Sequence, residues 1–260
     1  MALDPAGQVL ATAGEEGTVL LWNVTDPARP TRLGAPLTGH TGPVWAMALD
    51  PAGQVLATAG EETVLLWNVT DPARPIPMET QLTGHTGLVR GVAFHPGGDI
   101  LATAGADNAV IMWDLTDPAQ PTGLGAPLTG HTGPVWAVAF DAGGHVLATA
   151  GEETVLLWNV TDPARPTPFG LPLTGHTGAV TEVAFDAGGQ VLATAGEEGT
   201  VLLWNMADPA RPTRLGAPLT GHSGPVWAMA LDPAGQVLAT AGEGTVLLWN
   251  VTDPARPTRL

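Results

Sequence analysis

Residues 39–68 read GHTGPVWAMALDPAGQVLATAGEETVLLWN, and close copies of this stretch recur along the whole chain. Trp followed by Asn or Asp stands at Trp22, Trp67, Trp113, Trp158, Trp204 and Trp249, at intervals of 45 or 46 residues. Gly-His pairs fall between them at His40, His85, His131, His176 and His222. Self-similarity at such a period marks a repeat architecture. The runs VWAMAL, QVLATA and TVLLWNV are short and rich in strand-favouring residues, which suits strands better than helices. DPAG and TDPARP between them are turn sequences: Pro fixes φ, Asp bonds its own turn and Gly takes positive φ. A fourth, weaker strand is expected in the PLT before each Gly-His, so each repeat holds four short antiparallel strands and no helix.

Composition narrows the function. The chain has 260 residues, 44% of them apolar, with ample material for a core. No run approaches the roughly 18 apolar residues of a membrane span. The first residues also lack the basic and apolar segments of a signal peptide. These features lead us to expect a soluble, cytoplasmic protein, with secretion left open. Without cysteine, neither disulfides nor a thiolate metal site can hold the fold. The nine basic residues are all Arg, and the formal net charge is −16. Nucleic-acid binding needs a basic footprint, so this chain is expected to repel DNA and RNA and to steer basic partners.

Four strands per repeat, a Gly-His pair and a Trp-Asp-like close resemble the WD40 family of β-propellers over the whole chain. The resemblance implies an all-β, WD40-like propeller with six blades of four antiparallel strands, a to d, forming one domain over 1–260. We divide it at 1–46, 47–91, 92–137, 138–182, 183–228 and 229–260. Met1 stands where Met47 and Met229 stand, in mid-strand. By comparison with GAPLTGHSGPVWA (216–228), the closing seam, one outer strand and half an inner strand, is missing. We read this as an internal start or a piece of a longer array. Two outcomes stay open: packing between blades closes the ring without its clasp, or the outer edge at 245–251 stays unpaired and invites self-association.

Each repeat also carries a His, a Thr, an acid and a Trp, which could be mistaken for a hydrolase triad. The Thr are Thr12, Thr58, Thr103, Thr149, Thr194 and Thr240. The acids, six residues before each Trp, are Glu16, Glu61, Asp107, Glu152, Glu198 and Glu243. The resemblance assigns these residue types to a buried hydrogen-bond network that rigidifies each blade: acid to His, His to Thr, Thr to the indole. A catalytic site is not expected five or six times over, so no catalytic residues are assigned. The family's acid is usually Asp, which only Asp107 keeps. The second and fourth repeats have a turn one residue shorter, where the network is expected to be incomplete. The seven His show no short ligand spacing, so neither a metal nor another cofactor is expected.

In propellers of this kind the d–a and b–c loops share the top face. The b–c turns hold only acids, among them Glu15, Glu62 and Glu197, whereas eight of the nine Arg fall in the c–d loops beneath. Half of these acids are expected to be tied up with His. The family's partner-binding positions map to Thr41, Thr86, Thr132, Thr177 and Ser223, and to Pro43, Leu88, Pro134, Ala179 and Pro225. Most are small, and the aromatic anchors typical of hot spots are missing there. Trp45, Trp136 and Trp227, in strand a, are expected to pack between blades. Arg90, Thr181 and Glu182 break that pattern, so the blade from Leu88 to Asp114 is the one most individualised for a partner. The expected function is a non-catalytic protein- or peptide-interaction scaffold, the sensor or recognition region of a larger signalling protein. The alternative is a structural or self-assembling repeat protein without a specific ligand.

Overall fold

A computed structural model describes residues 1–260, and every regular element in it is a β-strand. No helix is long and apolar enough to cross a membrane. The chain divides into two compact units, Met1–Thr129 and Gly130–Leu260.

The first unit contains three antiparallel meanders. The first runs β1 (Ala2–Leu3), β2 (Val9–Ala13), β3 (Val19–Asn23) and β4 (Thr31–Leu37). The second is β5 (Ala46–Leu49), β6 (Val55–Ala59) and β7 (Thr63–Asn68), with an outer strand split into β8 (Ile76–Pro77) and β9 (Leu82–Thr83). The third is β10 (Val89–Phe94), β11 (Ile100–Gly105), β12 (Val110–Asp114) and β13 (Thr122–Leu128).

The second unit repeats the plan. Its first meander is β14 (Ala137–Phe140), β15 (Val146–Ala150), β16 (Glu152–Asn159) and the start of β17 (Thr167–Phe185). Strand β17 runs unbroken for 19 residues. Its first half pairs with β16 and its second half with β18, so it serves as outer strand of one meander and inner strand of the next. The next meander continues through β18 (Val191–Gly196), β19 (Val201–Asn205) and β20 (Thr213–Leu219). The last is β21 (Val226–Leu231), β22 (Val237–Gly242), β23 (Thr245–Asn250) and β24 (Thr258–Arg259).

The turns explain why these runs are strands and where they stop. In DPAG, Asp50 Oδ1 accepts the N–H groups of Gln54 at 2.6 Å and Val55 at 2.7 Å, and Gly53 sits at φ +68°. An Asp side chain thus fixes the a–b hairpin and hands the chain back into register. In TDPA, Asp26 Oδ1 accepts from Ala28 N at 3.0 Å. The outer strand is longer than its PLT core: in the first meander it spans all seven residues of TRLGAPL, with a register shift opposite Val19 and Leu21. Gly34 makes that shift possible at φ +58°, where a Cβ would also stand 2.6 Å from the Ala73 carbonyl oxygen.

Alternation gives each meander two apolar faces. One carries the Ala residues of strand b with Val and Leu of strand c; the other carries Leu of strand b with Leu and Trp of strand c. In the first unit, Ala57, Ala59, Val64 and Leu66 of the second meander pack against Leu101, Ile111 and Trp113 of the third. In the second unit, Ala193, Ala195, Val201 and Leu203 pack in the same way against Leu238, Leu247 and Trp249. Meanders are therefore joined face to face through a small-residue face and a large-residue face.

Candidate functional site

Strand a begins beside the b–c turn, because Trp45 N donates to Ala59 O at 2.8 Å at the end of β6. This end of each meander gathers the His, the turn acid and the positions singled out for partners. The c–d turns lie at the other end, but not all of the Arg expected there do: Arg214 and Arg259 stand on the outer strands, and their Nη1 atoms come within 3.7 Å and 3.5 Å of where a Cβ on Gly175 and on Gly221 would be.

The His–Thr–Trp geometry recurs in five repeats. In the third, Trp113 Nε1 donates to Thr103 Oγ1 at 2.9 Å, and His85 Nε2 lies 2.8 Å from the same oxygen. Asp107 is 3.0 Å from His85 Nδ1, also accepts Thr86 N at 2.8 Å, and so uses both oxygens. A carboxylate there keeps the imidazole proton on Nδ1, leaving Nε2 to accept the Thr103 hydroxyl. Burial works to raise the Asp107 carboxyl, but the Thr86 N–H and His85 outweigh it and hold it below its ordinary value. Space is tight here. A Cβ on Gly105 would stand 2.4 Å from His85 Nδ1 and 2.5 Å from Asp107 Oδ1.

The fifth repeat has the same chain with Glu. Glu198 Oε1 is 2.5 Å from His176 Nδ1, His176 Nε2 is 2.8 Å from Thr194, and Trp204 Nε1 donates to Thr194 at 3.1 Å. Glu198 also takes the Thr200 hydroxyl. Its Oε2 is buried without a partner, a consequence of the extra methylene.

Elsewhere the acid does not reach the His, a correction to the expected four-member network. His40 meets Thr58 at 2.8 Å and Trp67 donates to it at 3.0 Å, while Glu61 takes the Thr41 hydroxyl at 2.9 Å instead. His131 meets Thr149 at 2.8 Å and Trp158 donates to it at 3.0 Å, but His131 Nδ1 is buried and unpaired. Burial pushes the His131 imidazole down to about 4. In the sixth repeat His222 meets Thr240 at 2.8 Å and Trp249 donates to it at 3.0 Å, while Thr245, and not Glu243, lies 3.1 Å from His222 Nδ1. The first repeat keeps only the Trp22–Thr12 bond, 2.8 Å long. Of the turn acids, therefore, only Asp107 and Glu198 hold a His, not half of them.

Turn length explains the difference. Thr and Trp are ten residues apart in the first, third and fifth repeats, and nine apart in the second, fourth and sixth. The sixth repeat thus joins the second and fourth as short-turned. The acid is followed by a left-handed residue in the long turns, Gly17, Asn108 or Gly199 at φ 72°, 68° and 82°, and also in two of the short ones, Glu153 and Gly244 at 57° and 67°, so residue count separates the two kinds. In the short turns Gly60 N bonds Thr63 O and Gly151 N bonds Thr154 O directly, so the acid leaves strand b one residue earlier. Its carboxylate then falls beside Gly42 or Gly133 and not beside the imidazole.

At the partner positions, Thr41, Thr86, Thr132, Thr177 and Ser223 are exposed, while Pro43, Leu88, Pro134, Ala179 and Pro225 are half-buried. Glu15, Glu62 and Glu197 are fully turned to solvent. Of the strand-a tryptophans, Trp136 is half-buried, and the other two differ from expectation. Trp45 remains 48% exposed and Trp227 52%, so neither is packed away between meanders. In the first unit the Arg90 guanidinium lies 5.1 Å from the Trp45 ring centroid. At Arg90's place in the fifth repeat, Thr181 bonds the Val226 carbonyl of the sixth. Next to it Glu182, where other repeats have Ala or Gly, is half-buried and pushed up to about 7 by desolvation.

A strand-b Thr bonded to a strand-c Trp, six times over, defines a blade-forming repeat whose polar core is structural. The family described as WD domain, G-beta repeat matches residues 1–23, 31–68, 77–114, 124–159, 169–205 and 213–250. The chain belongs to the WD40 family, an all-β propeller class whose members generally bind other proteins or peptides and are typically not enzymes. A search of curated proteins found no significant match.

Proposed function

We propose that the chain is a non-catalytic recognition scaffold, acting in the cytoplasm as part of a larger signalling protein, whose strand-a ends take basic peptides. The observation that carries this reading is Trp45: a half-exposed indole with a guanidinium already 5.1 Å from its centroid, on a strand whose backbone bonds Ala59 just ahead of the turn that carries the exposed Glu61 and Glu62. An aromatic face flanked by carboxylates suits an Arg or Lys side chain, by cation–π attraction worth about 0.5–1 kcal/mol at exposed sites and by charge. Trp227 and the exposed Glu243 repeat the combination in the second unit. The net charge of −16 steers cationic ligands and repels nucleic acid. The Gln variant of Glu15, Glu62 and Glu197 together tests it. An immobilised Arg-rich peptide is expected to retain the parent chain at low salt and to release the triple variant; equal retention of both would refute the acidic-face reading.

A second reading, self-association through the edge at 245–251, is favoured by β23. Its outer-strand partners are Thr258 and Arg259, opposite Asn250 and Trp249, and Leu260, whose N donates to Leu248 O at 2.9 Å, which leaves residues 245–247 without a ladder on that side.

A further inference from the structure

Deepening the first reading and resting on it, we propose that Arg90 is a built-in occupant of the Trp45 ring, which a ligand's cation must displace. Arg90 then sets which cations the site accepts. Strand a supplies the starting point. From the second repeat to the sixth, the residue after its first Val is Trp45, Arg90, Trp136, Thr181 and Trp227 in turn. The third repeat puts a cation where three others have an indole, and that cation turns back onto the indole of the meander before it. The contact is internal to the first unit, and so are the two meanders that pack against the second one.

Local geometry aims the guanidinium. The register between β10 and β11 shifts between Val89 and Gly91, so Arg90 is the residue carried in the irregularity. A bulge of this kind re-aims the side chain it carries. The guanidinium carbon stands 5.1 Å from the Trp45 centroid, inside the reach of about 6 Å for cation–π attraction. The fold does not demand the pair. In the fifth repeat, after Trp136, Thr181 holds the same place and the same register shift, and bonds the Ala195 and Val226 carbonyls instead.

The contact is strong enough to compete and too weak to lock. Trp45 stays 48% exposed, so the attraction is of the exposed-site kind. Partial burial also holds the Arg90 guanidinium below its ordinary value, because hydration is lost there and regained when it leaves. Tethering gives Arg90 an effective concentration at the ring on the order of millimolar. An isolated ammonium or guanidinium at lower concentration does not displace it. A segment with several cations, held at the same time by exposed carboxylates such as Glu61 and Glu62, does. The ligand class is therefore a polycationic segment and not a single basic side chain.

The test titrates an Arg-rich peptide into the parent chain, Arg90→Thr, Arg74→Thr, Trp45→Ala and the Arg90→Thr, Trp45→Ala double variant, at roughly 50 mM salt. Arg74→Thr removes the same charge from an exposed turn of the same unit. Arg90→Thr is expected to bind about two- to fivefold tighter than Arg74→Thr, the span of an exposed cation–π contact. With Trp45 already gone, Arg90→Thr should gain nothing. In the parent chain the Arg90 Nε–H resonance, assigned by its loss in Arg90→Thr, should move on peptide saturation to its position in Trp45→Ala. Arg90→Gln stands in should Arg90→Thr fail to give a folded spectrum. A peptide that binds and loses affinity on Trp45→Ala, yet gains none on Arg90→Thr, would overturn this inference and leave the cation reading standing. So would a gain that persists without Trp45, which is plain charge repulsion. No binding by the parent chain or by Arg90→Thr would overturn both.

Discussion

His131 and His85 have the same sequence neighbours, Thr-Gly-His-Thr-Gly, yet opposite surroundings. His85 Nδ1 has Asp107 at 3.0 Å, while His131 Nδ1 is buried with no partner. Desolvation then disfavours the charged imidazole at His131 and lowers it to about 4 from an ordinary 6.5. A depressed His is neutral when folded, so its contribution is present above pH 6.5 and lost as pH falls toward 4, by about 3 kcal/mol at most. His40 and His222 are shifted in the same direction by burial. Glu182 has the opposite sign. Its carboxyl is raised to about 7 from 4.5, so its penalty grows as pH climbs through that window. Thermal unfolding across pH 4 to 8 should show a melting temperature that falls on the acid side. Glu182→Gln removes a penalty that grows between pH 4.5 and 7, so it should raise the melting temperature at pH 7 to 8 and make the fall toward acid steeper.

At the scale of the element, one residue in the b–c turn decides whether a blade has a complete polar core. Long turns place the acid two residues past the Gly that ends strand b, as Asp107 and Glu198 show; short turns place it one residue past. Inserting a Gly between Glu153 and Thr154 converts GEET into the GEEGT of the fifth repeat, with Glu153 taking the place of Glu198. The insertion variant is expected to melt higher by an amount equivalent to roughly 1 kcal/mol, the value of one charge-assisted hydrogen bond. It should also lose most of its acid sensitivity. A lower melting point with unchanged pH dependence would count against turn length as the cause. The strands, their turns and the Thr–Trp pairs were readable from the sequence, because alternation, Asp-Pro and Gly each act locally. The short sixth turn was also on the page but is masked by GEG, which reads like a degenerate GEEG. The reach of each acid was not readable, since it depends on where strand c pairs back to the Gly that ends strand b: with Thr63 or Thr154 in the short turns, with Ala109 or Thr200, one residue later, in the long. Nor was the full outer strand, which needs Gly34 at positive φ opposite a register shift.

For the molecule as a whole, the polar strand-a ends and the apolar meander faces make separate demands. The interior follows one packing rule, legible in the Ala, Leu and Trp periodicity. Exposure at Trp45 and Trp227 was not legible, because Trp136 stands in the same Gly-Pro-Val-Trp-Ala stretch and is half-buried. The central claim is that these ends recognise cations through carboxylate and indole together. The most direct measurement is a calorimetric titration of the chain with an Arg-rich peptide at roughly 50 mM and 500 mM salt, beside Trp45→Ala. The account predicts binding that weakens about tenfold or more in high salt and again on removal of the indole. Absence of binding at low salt, or binding indifferent to both salt and Trp45, would contradict it.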